Sequence, residues 1–288
     1  RVDGGSWQAY GGAFAVSGEG SHTVEYGSSD QACNTEAPAS QAFQIDTVAP
    51  SSTISSHAGG DWVRGTISLA GTASDATSGM AVVDVSTDGG GSWQAASGTT
   101  TWTATWDTTA VSDGGYQVCS RARDVAGNVQ TPVCVTLHVD NTAPTTAITP
   151  SGTAGCASWY RSAVDVTLSA SDGAGVGVSE TRYRVDGGSW QTYSAPFTIS
   201  GQGSHTVEYE SEDGLGNVES AQSLTLNIDS AAPSTSAMPA GTVGSGGWYV
   251  STVDVTLSAS DATSGVDQTQ YRIDGGSWQT YSAPFTIS

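Results

Sequence analysis

Alternation of apolar and polar residues is the dominant pattern along this chain, and it comes in short blocks. Val164, Val166, Leu168 and Ala170 alternate with Asp165, Thr167 and Ser169. The pattern returns at His22 to Tyr26, at Tyr116 to Ala122 and Val133 to Val139, at His205 to Tyr209, at Leu224 to Ile228, and at Val253 to Ala259. A period of two places one face of a strand in a core and the other in water. Long helix-forming stretches are scarce, and strands with one wet face, joined by hairpins, fold as antiparallel sandwiches.

The hairpins announce themselves. The stretch from Tyr183 to Tyr193 carries alternating Tyr183 and Val185, an Asp186-Gly187-Gly188 turn that wants positive φ, and Trp190 at the start of the return strand. It recurs as Arg1 to Tyr10 and as Tyr271 to Tyr281, with a weaker copy at Val85 to Trp93. The chain is therefore an array. Its boundaries fall at Asp46-Thr47-Val48-Ala49-Pro50, Asp140-Asn141-Thr142-Ala143-Pro144 and Asp229-Ser230-Ala231-Ala232-Pro233, with 94 and 89 residues between the prolines. That length suits a seven-stranded sandwich, and the proline stiffens each joint.

Residues 1–46 match 184–229 without a gap, with 26 identities, so 1–46 reads as the C-terminal half of a repeat. Residues 47–140 form a divergent unit, 141–229 a complete repeat, and 230–288 the N-terminal half of another. Both ends fall inside repeats, the mark of a window on a longer protein. The expected fold class is all-β, a rod-like array of tandem antiparallel β-sandwiches.

Composition narrows the partners. The net charge of −20 reflects 28 acidic and only 8 basic residues, every one of the latter an arginine. Such a surface repels nucleic acid and anionic membranes. No apolar run approaches the ~20 residues that cross a bilayer, so no membrane insertion is expected in this window. Without lysine, no Lys-Asn isopeptide cross-link can form.

The run Tyr-Arg-Val-Asp-Gly-Gly-Ser-Trp, with Pro196-Phe197, Gly203 to Tyr209 and Asp213 to Asn217, resembles a bacterial extracellular immunoglobulin-like repeat, similar to those first named after a leptospiral outer-membrane protein. Residues 47–140 resemble another bacterial immunoglobulin-like type through Val85 to Gly90, Trp106-Asp107 and Asp124 to Asn128. The resemblance implies immunoglobulin-like sandwiches in an extracellular, secreted or cell-surface setting. There, such repeats serve as stalks, adhesin arms and spacers. The first fragment departs from the pattern with Cys33 where Gly216 stands, a change expected to alter that turn.

Cys119 and Cys134 are equidistant from the centre of the Asp124 to Asn128 turn, so they face each other across a hairpin and pair as a disulfide. With Tyr116, Val118, Val133 and Val135 facing inward, both cysteines are expected to point outward. Cys33 and Cys156 fall at opposite ends of their units and cannot meet along a rod; pairing between chains is the reading taken here, against a bent chain or free thiols.

Strand counting brings Asp46, Asp75 and Asp124 to one junction and Asp140, Asp172 and Asp213 to the next. Clustered carboxylates there could hold calcium. The alternative is that Asp124 and Asp213 only cap tight turns. His22 and His205 occupy the place of Tyr116 and are expected to act as corner residues that pack and hydrogen-bond. The recurring Trp7, Trp93, Trp190 and Trp278 read as structural lids. Trp102, Trp106, Trp159-Tyr160 and Trp248-Tyr249 are candidates for an exposed glycan-binding surface, against lateral contacts between rods or simple core filling. No nucleophile elbow, paired-histidine zinc motif or phosphate loop appears, so no enzyme and no other cofactor is expected. The expected function is a non-enzymatic stalk, sheath or fibre at a bacterial surface that self-associates. The alternative is an adhesin arm or carbohydrate-binding accessory region of a larger secreted protein.

Overall fold

The computed structural model describes residues 1–288. The chain is all-β, built of tandem β-sandwiches. In order, its strands begin with β1 (Gly20–Tyr26) and β2 (Ala39–Ile45), an antiparallel pair. Next come β3 (Ser51–Ile54), β4 (Trp62–Val63), β5 (Thr66–Ser74), β6 (Met80–Ser86), β7 (Gln94–Ala95), β8 (Thr101–Asp107), β9 (Gly114–Asp124) and β10 (Val133–Val139). These make a three-stranded sheet, β3-β5-β8, packed on a five-stranded sheet, β4-β10-β9-β6-β7. The first strand is thus split: β3 pairs antiparallel with β5, whereas β4 crosses to the other sheet and runs parallel to β10.

The following sandwich repeats the plan with β11 (Thr145–Ser151), β12 (Trp159–Tyr160), β13 (Val164–Ser171), β14 (Val178–Val185), β15 (Gln191–Thr192), β16 (Phe197–Ile199), β17 (Gly203–Asp213) and β18 (Gln222–Ile228). Its sheets are β11-β13-β16 and β12-β18-β17-β14-β15. The last strands, β19 (Ser234–Ala240), β20 (Val253–Ser260), β21 (Gln270–Tyr271), β22 (Gln279–Thr280) and β23 (Phe285–Ile287), repeat the first half of that plan.

The cores follow the alternation. Leu69, Trp102 and Trp106 from one sheet meet Val83, Val85, Val118, Leu137 and Val139 from the other. In the next sandwich Val164, Val166, Leu168 and Ile199 meet Val207, Tyr209, Leu226 and Ile228. The Asp186-Gly187-Gly188 turn forms as expected. Asp186 and Gly187 both have positive φ, and Gly188 N–H donates to Val185 O at 2.9 Å.

Several side chains lie elsewhere than the sequence suggests. Cys119 lies on the outer face as expected, opposite exposed Cys134, yet it is fully buried there, because β9 is an inner strand and Ser86 of β6 flanks it. Val133 is exposed, since it opens β10 beyond the core. Trp102 and Trp106 are core residues: on β8 the threonines 101, 103 and 105 take the wet face. The Cys33 turn keeps its shape. Asp30 N–H still donates to Asn34 O and Cys33 N–H to Asp30 O, as in Asp213 to Asn217, with Cys33 forced to φ 65°.

Candidate functional site

The joints concentrate the polar chemistry of the chain. After each linker aspartate comes a residue tied back to the preceding strands by a polar side chain. Thr47 N–H donates to Glu19 Oε2 at 2.9 Å, Asn141 N–H to Asp113 Oδ1 at 2.8 Å, and Ser230 N–H to Gln202 Oε1 at 3.0 Å. All three pairs are 28 residues apart. The aspartates themselves reach forward. Asp46 Oδ2 accepts from Ser78 N–H at 3.0 Å, Asp140 Oδ2 from Val176 N–H at 2.7 Å, and Asp229 Oδ2 from Ser264 N–H at 3.0 Å. Each linker is therefore fastened in both directions. Glu19, Asp113 and Gln202 belong to no motif; only their fixed offset from the linker could have revealed them.

At the first joint Asp46, Asp75 and Asp124 each bring a carboxylate oxygen within 4.8 Å of the others'. The turn-capping role expected for Asp124 is met at the same time. Its Oδ1 accepts from Gly127 and Asn128 N–H at 2.7 and 2.8 Å, and its Oδ2 from Asn128 Nδ2 at 2.8 Å. Asp75 Oδ1 likewise accepts from Thr77 and Gly79 N–H at 3.0 and 2.7 Å. The Asp46 carboxyl is held below its ordinary range, first by Ser78, with burial opposing. Oxygens on opposite sides of a calcium ion stand about 4.6 to 5.2 Å apart, so this spacing suits one shared ion. Turn capping therefore leaves these carboxylate oxygens close enough to share a cation.

In the next sandwich, Asp213 caps its turn through Leu215 and Asn217 N–H, both at 2.8 Å, and Asp172 Oδ2 accepts from Gly177 N–H at 2.7 Å. Asp140 is fully buried at the end of the preceding sandwich, where Oδ1 accepts from Thr142 N–H.

Tyr116 and His22 make the expected corner bonds, whereas His205 meets Asp186 Oδ2 through Nδ1 at 2.8 Å and its buried Nε2 has no partner. Tyr116 OH donates to Ser112 O at 2.8 Å, and His22 Nε2 reaches Gly18 O, also four residues upstream, at 3.1 Å. His22 Nδ1 meets Asp3 Oδ2 at 2.8 Å. Both of its partners are acceptors, an arrangement that favours the doubly protonated ring. Its pKa is accordingly raised, first by Asp3 and then by the Gly18 carbonyl, against a smaller effect of burial, while the Asp3 carboxyl is lowered by His22. A raised histidine stabilises fully below its unfolded value of about 6.5 and loses that stabilisation as pH climbs through the folded value. A lowered carboxyl does the reverse at the acid end. The Asp3 hairpin should thus be firmest in mildly acidic solution. Following the His22 ring protons by NMR should show titration above the range of an unfolded histidine; titration at or below it overturns the double-acceptor geometry.

The recurring tryptophans are lids over arginines. Trp93 covers Arg121 at 4.1 Å, Trp190 covers Arg184 at 4.8 Å, and Trp278 covers Arg272 at 4.9 Å. Arg184 is also paired with Glu208 at 2.8 Å, and Arg182 with Glu210 at 2.7 Å. The few cations of this chain are thus largely spent inside the sheets. Trp159 and Tyr160 are half-buried, Trp248 is exposed, and burial makes Trp102 and Trp106 core filling and not a glycan surface.

The Cys119–Cys134 disulfide is formed, and Cys33 and Cys156 are exposed and unbonded. Cys156 precedes Ala157 and Ser158 at φ 50° and 64°, where the next repeat carries Gly246 and Gly247. No helix is long and apolar enough to cross a membrane.

Fold and joints together define a tandem β-sandwich protein. Residues 50–118 match the model of the bacterial Ig domain, and residues 100–191 match that of the bacterial Ig-like domain of group 3. Domains of these kinds are typically non-catalytic and extracellular or surface-exposed. No curated protein matches the chain. Among solved structures, the fibronectin(III)-like modules of Clostridium thermocellum CbhA are 16% identical with a TM-score of 0.33, covering 62% of this chain and 94% of theirs. The D00-D0 domain of intimin is 17% identical with a TM-score of 0.30, covering 62% and 99%.

Proposed function

We propose that the chain is an extracellular spacer, a stalk, sheath or fibre segment whose work is mechanical. The observation that carries this reading is the recurrence of the two-way linker clamp at Thr47, Asn141 and Ser230. A linker fastened to the sandwich behind it and to the loop ahead resists bending, which a spacer needs and a loose tether does not. The acidic surface keeps such arrays soluble and apart. Cys33 and Cys156, exposed and unbonded, are the proposed sites of disulfides between neighbouring chains.

Electron microscopy of the native, unreduced protein tests the reading. Stiff particles or filaments with a repeat of whole sandwiches support it. Particles flexing freely at every joint overturn it, and only monomer on non-reducing gels removes the inter-chain disulfide.

We further propose that Asp46, Asp75 and Asp124 hold calcium. Neutralising three close carboxylates removes their mutual repulsion. Millimolar calcium should then raise the melting temperature of the wild type and leave Asp75→Asn nearly unmoved. A wild-type melt indifferent to both calcium and chelator ends the calcium proposal without touching the spacer reading.

A further inference from the structure

The sandwich of strands β3 to β10 has an opening where its neighbour packs aromatic rings. In the neighbour, the seam between β15 and β16 is filled by three rings: Tyr183 stacks on Phe197 at 3.8 Å, and Tyr193 meets both edge-on. Tyr271, Tyr281 and Phe285 repeat the arrangement in the last strands. Strand registers identify the counterparts. Val85 pairs with Gln94 as Tyr183 pairs with Gln191, and Leu69 pairs with Ala104 as Val166 pairs with Phe197. Ala96 N–H donates to Val83 O as Tyr193 N–H donates to Thr181 O. Three rings in one sandwich are thus valine, alanine and alanine in the other.

What remains is a cleft of about 170 Å³. Its floor is Leu69, Val85, Ala104 and Trp106, and its rim includes Thr87, Gln94, Thr105 and Asp107. Asp107, an exposed carboxylate on this rim, accepts from Thr109 through Oδ1. The volume is below the usual range for drug-sized ligands and suits a single ring. An aromatic ring would satisfy the floor and strand the rim. A pyranose satisfies both, with its C–H face on the apolar floor and its hydroxyls on the carboxylate, carboxamide and threonines. Asp107 and the net negative charge of the chain disfavour an acidic sugar.

We propose that this cleft binds one neutral hexopyranose residue of a polysaccharide. The site does not rest on the spacer reading, since it is judged by ligand binding and the spacer by joint stiffness. A single sugar ring implies affinity on the order of millimolar.

The test is saturation-transfer NMR on the 288-residue chain with methyl α- and β-glycosides of glucose, galactose and mannose. Transfer to ring protons is expected for at least one glycoside. It should vanish in Val85→Tyr/Ala96→Tyr/Ala104→Phe, which refills the seam with the neighbour's own residues. Gln94→Ala, on the exposed rim, should weaken binding by about fivefold through one lost hydrogen bond, and serves if the triple variant does not fold. The proposal is overturned if no glycoside shows transfer, if the folded triple variant binds equally, if Gln94→Ala binds as wild type, or if p-cresol binds while the glycosides do not.

Discussion

Gly71→Ala should destabilise the sandwich of strands β3 to β10 by about 3 to 5 kcal/mol, more than overpacking usually costs. Gly71 lies on β5 with Ile54 of β3 on one side and Trp102 of β8 on the other. A Cβ there would stand 1.8 Å from Thr53 O and 2.5 Å from Trp102 Cζ2. The backbone is ordinary extended strand, so the glycine is required for space and not for its torsions. Neither neighbour can yield: Thr53 O is backbone, and Trp102 is fully buried. The counterpart in the next sandwich is Leu168, which faces no tryptophan. The pair Gly71–Trp102 is therefore one packing unit. Trp102→Ala alone should cost about 3 to 5 kcal/mol, and the double variant less than the sum, because the clash with Trp102 is relieved while that with Thr53 O remains. Urea titrations of the wild type and three variants complete the cycle. A near-neutral Gly71→Ala, or strict additivity, would show that the two do not share this space.

That pairing shows where sequence patterns stop short. The alternation Thr101-Trp102-Thr103-Ala104-Thr105-Trp106 is as regular as any in the chain, and it places both tryptophans inward. Of the readings left open for them, burial selects core filling over an exposed glycan surface. The strands, the Asp-Gly-Gly turns and the Cys119–Cys134 pairing were legible because each depends on neighbours a few positions away. Burial of Cys119 was not, since it depends on β6 lying against the far side of β9. The Cys33 turn kept its shape because the Asp30 side chain, held by Ala32 and Asn34, outweighs one unfavourable φ. The linker clamps span 28 residues and leave no local trace. The sugar-sized cleft is harder still to read. It exists through side chains that are missing, and it appears only when strand registers align two divergent repeats.

Removing the Cys119–Cys134 disulfide should cost about 3 kcal/mol, the loop-closure value for a bridge across 15 residues. Packing adds little to that figure if alanine replaces both residues, because Cys134 is exposed and only Cys119 leaves a small gap. Cys119→Ser would be worse, since a buried hydroxyl needs a partner. The bridge also sets how the unit yields to force. The parallel pair β4 and β10 joins His138 to Trp62 and Val139 to Val63 near the end of the sandwich, where a pull on the termini loads hydrogen bonds in shear. Once that pair parts, β10 can peel from β9 only as far as Cys134. The 15 residues from Cys119 onward stay locked, withholding roughly 50 Å of extension at ~3.5 Å per residue. Single-molecule stretching should therefore show one class of unfolding step lengthening by that amount on reduction, with Cys119→Ala/Cys134→Ala giving the long step in either redox state. If reduction changes neither step length nor melting temperature, the bridge does not limit this unit, and its stability lies in the Trp102 core alone.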